Sequence, residues 1–180
     1  MLIDAATSCL LVIDIQAKLN PVMFAPERAP SGAAKLLMGA DMLGVPAVVT
    51  EQYPKGVGQT VDDLLDFMPE GSPMEKNTFS CMADEAFQAR FQALGKKQAV
   101  IAGIEAHICV LQTALSLLAE GIEVFVVEDA TASRTPENHC AGLERIRDEG
   151  GRIVTVEMVL FEWLKRSGTP EFKQISQLIK

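Results

Sequence analysis

Asp14, Lys76 and Cys109 are the residues whose types could do chemistry together. A thiol can attack an electrophilic carbon, a carboxylate can take and return its proton, and an ammonium can favour the thiolate. Asp14 ends an apolar run that starts at Cys9, Lys76 stands in an irregular stretch before Asp84, and Cys109 opens a helical segment after Gly103. At a helix start Cys109 would feel the positive end of the helix dipole, and a lysine beside it would lower its pKa further. Spacing alone does not bring the three together. Asp14 also reads as a cap at a strand end, Lys76 as a solvated surface lysine, and Cys109 as a small buried hydrophobe.

The remaining cysteines and histidines offer little competition. Cys9, Cys81, Cys109 and Cys140 form no C-x-x-C pair, and the chain has only His107 and His139 beside them. Neither a disulfide framework nor a structural zinc site fits that inventory. His107 precedes Cys109 by two residues, so at a helix start the two side chains point in different directions. It reads as structural or pocket-lining. His139 and its neighbour Cys140 lie far in sequence from the other candidates, and Cys81, five residues past Lys76, reads as a packed thiol close to the pocket.

The elements that must position these residues follow from five short apolar runs: 9–14, 46–50, 98–103, 123–129 and 152–156. Each is continuous and rich in Val and Ile, as strands buried on both faces must be. Helical spacing fills the segments between, at 33–43, 84–94, 108–119 and 137–149, and Gly44, Gly95, Gly121 and Gly150 stand where helices end. Strands joined by helical crossovers are parallel, which predicts a three-layer α/β/α, Rossmann-like open sheet with helices on both faces and a ligand beyond the strands' carboxyl ends. The Pro- and Gly-rich segment from Thr50 to Thr78 is expected to be a shaped loop bordering the site, with a short helix near 61–67 and a sixth, short strand within 72–78. Gln16, Phe24 and Tyr53 fall in loops that would border the cavity and are candidate substrate-binding residues. The apolar stretch 158–164 reads as core or subunit interface, and 170–180 as a terminal amphipathic helix.

Three segments carry a family resemblance: Leu10-Leu-Val-Ile-Asp-Ile-Gln16, Glu75-Lys-Asn-Thr-Phe-Ser80 and Ile101-Ala-Gly-Ile-Glu-Ala-His-Ile-Cys-Val110. In this order and spacing they resemble the signatures of the isochorismatase-like cysteine hydrolases. The closest likeness is to the small isochorismatase-domain-containing proteins, through the loop Thr50-Glu-Gln-Tyr-Pro-Lys-Gly56 and the turn Asp129-Ala-Thr-Ala-Ser-Arg134. The resemblance spans nearly the whole chain and implies a sheet of about six parallel strands. It implies a catalytic triad falling on Asp14, Lys76 and Cys109, and a non-proline cis peptide joining Ile104 to Glu105. The backbone N–H groups of Glu105 and Cys109 would then form an oxyanion hole.

Departures from the family narrow the chemistry. Nicotinamidases of the superfamily bind a metal through an Asp-x-His pair and a further histidine after strand two, whereas this chain has Glu51-Gln52-Tyr53 and no histidine before His107. No metal and no cofactor is expected. True isochorismatases have glycine where Cys109 stands, so the cysteine argues for acyl chemistry. Many amidase relatives have threonine at the position of Ala106, and its loss leaves the substrate class open. The reading is a cofactor-independent hydrolase of a small amide, carbamoyl or ureido C–N bond through a Cys109 thioester. The alternatives are a non-catalytic oligomeric binding or redox-sensing protein, and an isochorismatase-type vinyl-ether hydrolase.

Length and charge bound the partners. The 180 residues allow one domain, residues 1–180, and 48% hydrophobic with 22% charged residues is the makeup of a folded globular chain. The 24 acidic residues against 16 basic ones give a net charge of −8, which repels nucleic acid and anionic membrane. A small-molecule substrate and a homo-oligomer are expected. The first positive charge, Lys18, comes after the first apolar run, so no signal peptide is read, and a reduced, cytoplasmic compartment is the expectation.

Overall fold

A computed structural model describes residues 1–179 of the chain. The strands are β1 (Ser8–Ile13), β2 (Ala47–Gln52), β3 (Met74–Lys76), β4 (Gln98–Ile104), β5 (Glu123–Ala132) and β6 (Arg152–Val154). They form one parallel sheet in the order β3-β2-β1-β4-β5-β6. The helices are α1 (Arg28–Leu43), the single-turn α2 (Pro54–Val57), α3 (Glu85–Leu94), α4 (Leu111–Ala119), α5 (Pro136–Asp148), α6 (Val156–Leu164) and α7 (Pro170–Leu178). The fold is a three-layer α/β/α open sheet.

Alternation along β1 divides the interior in two. Leu10 and Val12 pack with α1, α6 and α7 on one face, while Cys9, Leu11 and Ile13 pack with α3, α4 and α5 on the other. Both faces are covered, so every residue of β1 and β4 is buried. α1 begins five residues before the helical spacing at Ala33 suggests, because Pro30 lies in its first turn, where a missing N–H costs nothing. It lies close on β5: a Cβ at Gly32 would come within 2.6 Å of the Ala130 Cβ. The 158–164 stretch is core, since Val159, Leu160, Trp163 and Leu164 of α6 are buried. α7 ends at Leu178, and the expected final residue, Lys180, lies outside the described residues.

The strand order sets the position of the site. From β1 the chain moves outward through β2 to β3, then crosses back to place β4 on the other side of β1. The crevice beyond the carboxyl ends of β1 and β4 is therefore a topological switch point, where open α/β sheets receive ligands. Gly103 makes the close approach possible: its φ is +125°, and a Cβ there would fall 2.1 Å from the Ile13 carbonyl oxygen. The register of β4 against β5 shifts just there, between Ile101 and Gly103.

Candidate active site

Asp14 is the first residue past β1, with φ +53°, a left-handed conformation that an aspartate tolerates at some cost. The turn aims its carboxylate across the end of β2. Oδ1 accepts the hydroxyl of Thr50 at 2.7 Å, and Oδ2 lies 2.7 Å from Lys76 Nζ, both side chains being buried. Lys76 is the last residue of β3, the short sixth strand expected within 72–78. Its ammonium donates to four oxygens: Asp14 Oδ2 at 2.7 Å, Gln52 Oε1 at 2.7 Å, and the carbonyls of Thr78 at 3.1 Å and Phe79 at 3.4 Å. Burial pushes the Lys76 pKa down, but Asp14, with Cys81 and Cys109 beside it, together more than offset this, and the group is held above its ordinary value.

Cys109 reaches the same point from the far side of β1. β4 ends at Ile104, the peptide bond to Glu105 is cis, and residues Ala106–Val110 form one π-helical turn that runs into α4. The thiol is buried and faces the Asp14 carboxylate. Its pKa is raised, by burial first and by the charge of Asp14 next, with Lys76 pulling the other way. This corrects the expectation that helix dipole and lysine lower it. Lys76 is paired to a carboxylate that lies beside the thiol, so the sulfur sees the aspartate more strongly than the lysine.

The structure thus brings Asp14, Lys76 and Cys109 together. The other candidates divide. Gln16 is fully buried and spends its amide on backbone: Nε2 donates to the carbonyls of Gln52 at 3.0 Å and Gly58 at 2.5 Å, and Oε1 accepts the Gln52 N–H at 2.7 Å. It braces the loop instead of facing a ligand, which corrects its expected substrate contact. Phe24 is 39% exposed and meets the His139 ring edge-on, with centroids 5.9 Å apart. Tyr53, at φ +35°, folds its ring over Gly56 and borders a cavity of about 350 Å³ shared with Lys55, Glu75 and Asp84. The Glu105 carboxylate takes two Arg134 nitrogens at 2.9 to 3.2 Å.

His107 bonds Ser133 Oγ at 3.0 Å and His139 bonds Thr131 Oγ1 at 3.1 Å, so neither imidazole is turned to the Cys109 thiol. Cys81 is fully buried, and its N–H donates to Thr113 Oγ1 at 3.0 Å. Two functional side chains escaped the sequence reading. Thr50 orients Asp14, and Gln52 holds Lys76. Their signal was present only as register: Thr50 pairs with Ile13, the residue before Asp14, and Gln52 with Lys76. No cluster of three His, Cys, Asp or Glu side chains among the described residues is arranged to hold a metal ion.

Comparison with known proteins agrees with this frame. The isochorismatase domain matches residues 8–158. Isochorismatase domain-containing protein 2 of Danio rerio is 40% identical over 174 residues, which cover 96% of this chain and 86% of that protein. The MAR1 ribonuclease structure from Caenorhabditis elegans superposes with a TM-score of 0.92 at 32% identity, covering 99% of this chain and 92% of its own. YcaC from Pseudomonas aeruginosa, solved with hexane-2,5-diol and covalent acrylamide, gives a TM-score of 0.92 at 26% identity, covering 98% and 91%.

Proposed function

The chain belongs to the isochorismatase family of hydrolases, and on that premise we propose that it is a cofactor-independent cysteine hydrolase that opens the C–N bond of a small amide, carbamoyl or ureido compound. The observation that carries this reading is a buried carboxylate, Asp14, held on one oxygen by Thr50 and on the other by Lys76, with the Cys109 thiol facing it. A raised thiol pKa suits the assignment. The thiol rests protonated, and the carboxylate takes its proton as the sulfur attacks.

In the proposed cycle the Cys109 Sγ–carbon bond forms while the S–H proton passes to Asp14. The N–H groups of Glu105 and Cys109 receive the oxyanion of the tetrahedral intermediate. Collapse breaks the C–N bond, the leaving nitrogen takes the proton from Asp14, and a thioester remains on Cys109. Asp14 then deprotonates water, which attacks the thioester carbon, and the acid leaves as the thiol regains its proton. Lys76 holds Asp14 in place throughout. The ribonuclease activity in the name of the worm protein is not carried over, since a net charge of −8 repels a polyanion.

The test is the mass of the intact protein after mixing with a panel of small amides and ureides, alongside ammonia release. An acyl adduct mapped to Cys109 and missing from Cys109→Ala is expected. Turnover of any panel member by Cys109→Ala at the parent rate would sink the reading.

A further inference from the structure

The register of β4 against β5 ends with Ile104 beside Ala132, and two side-chain bonds continue it past the sheet. Ser133 Oγ lies 3.0 Å from His107 Nδ1. The Arg134 guanidinium lies on the Glu105 carboxylate, with Nε 3.1 and 3.2 Å from its two oxygens and Nη2 2.9 Å from Oε1. The Arg134 side chain is 61% exposed and that of Glu105 6%. The arginine thus brings its charge from the solvent side to a buried carboxylate, which among the described residues no other side chain bonds. Burial of an unpaired carboxylate is costly, so Glu105 keeps this place only with the arginine on it.

Glu105 is also the residue from which the Cys109 turn starts. Its carbonyl accepts the N–H of Ile108 at 3.0 Å and of Val110 at 3.3 Å, while its carboxylate caps no N–H of the turn. The carbonyl therefore brackets Cys109 on both sides, and the carboxylate is left for Arg134. We infer that Arg134 is a positioning residue: through Glu105 it holds the turn that carries Cys109, and with it the thiol against Asp14 and the Glu105 and Cys109 N–H groups at their spacing. Ser133 steadies the same turn at His107. The inference deepens the hydrolase reading and rests on it for the reaction that the turn serves, whereas the placement of the thiol is a property of the folded chain alone.

Two rates at one sulfur test this, because release of the turn moves them in opposite directions. Acylation by a small amide needs the thiol, Asp14 and both N–H groups in register, so in Arg134→Gln the Cys109 acyl adduct should form about 10²-fold more slowly. Alkylation by iodoacetamide needs only an accessible thiolate: the sulfur bonds the methylene carbon, iodide leaves, and the thiol proton goes to solvent. Burial holds the parent thiol above its ordinary value, so release should speed alkylation of Cys109 at neutral pH by about tenfold. Cys9 and Cys81 are fully buried outside that turn and should stay unlabelled, which separates local release from unfolding. Arg134→Lys keeps the ion pair and should return both rates most of the way to the parent. Glu105→Met removes the buried charge together with its partner's hold, leaves no buried charge unpaired, and should repeat the pattern of Arg134→Gln. Cys109 labelled no faster than in the parent overturns the inference, as do parent-like acylation in Arg134→Gln, a lysine variant no better than the glutamine one, and labelling that spreads to Cys9 and Cys81 in Glu105→Met. Selective labelling of Cys109 in the variants, with no acyl adduct in the parent, leaves the inference standing and removes the hydrolase reading instead.

Discussion

Lys76 Nζ lies 2.7 Å from Asp14 Oδ2 inside the protein, and the two residues stand at the ends of strands separated by β2. Breaking such a pair from one side costs about 3–5 kcal/mol, since the remaining charge stays buried without a partner. Asp14→Asn should therefore do two things at once. Acylation of Cys109 should fall by about 10²-fold or more through loss of the base, and the melting temperature should fall as well. The melt departs from what a strand-end cap would give, because an amide caps nearly as well as a carboxylate. The double variant Asp14→Asn with Lys76→Met should regain much of the stability and none of the activity. Acylation at the parent rate in Asp14→Asn would remove the base assignment.

Thr50 donates its hydroxyl to Asp14 Oδ1 from the adjacent strand, where it is buried. Thr50→Val keeps the shape and removes the donor, at a cost of about 1.5–3 kcal/mol for a hydrogen bond to a charged group. Acylation should slow by about tenfold, with Thr50→Ser restoring most of the rate. Single-turnover mass spectrometry of the three proteins decides it. A valine variant as fast as the parent would show that Lys76 orients Asp14 unaided.

The sheet was legible because its strands are continuous Val- and Ile-rich runs, as at Leu10–Ile13 and Ala99–Ile101, that no amphipathic helix would carry. Strand β3 was harder to read, since its three residues, Met74–Lys76, lie among Pro69, Gly71 and Pro73 and gain their pairing from β2. Type and motif single out Asp14, Lys76 and Cys109, which the fold brings together. What the sequence could not convey was their electrostatics, because the rise of the Cys109 pKa comes first from burial and next from Asp14, which outweighs the opposing Lys76. Gln16 was misread for a related reason. A polar residue two places past Asp14 looks like a ligand contact until the loop at Gly58 is seen to fold back onto it.

The raised thiol alters what brief alkylation should find. Cys140 is exposed and Cys109 is buried, and both are held above the ordinary thiol value, Cys140 chiefly by its bond to Glu144 and Cys109 chiefly by burial. In the resting protein at neutral pH, iodoacetamide should label Cys140 before Cys109. The Cys109 rate should climb through pH about 9 without a neutral plateau. Peptide mapping across that range checks both statements. A Cys109 rate already flat at pH 7 would mean a stable thiolate and an activating role for Lys76.

Metal dependence can be argued from the residues where nicotinamidases hold their ion. Here Glu51 is bound to Thr60, and Gln52 spans Lys76 and the Asn77 carbonyl. Neither is left with the geometry of a free ligand set. Activity on any substrate found should survive exhaustive chelation followed by gel filtration. Activity lost with the chelator and restored by a divalent cation would overturn this.

Alkaline stability offers a test of the buried thiols that needs no substrate. Burial raises Cys9 from 9.0 to about 12, against a small opposing pull from Lys96, and raises Cys81 to about 11. The unfolded chain gives up each proton near pH 9.0 while the folded protein keeps it. Their contribution is therefore complete below pH 9.0 and declines as pH rises toward the folded values. Each such thiol removes about 1.4 kcal/mol per pH unit within that window. Urea midpoints should stay level from pH about 7 to about 8.5 and then fall steeply, and Cys9→Ala, though less stable at neutral pH through lost packing, should fall less steeply. Parallel slopes for the variant and the parent would show that Cys9 does not hold its proton in the folded state.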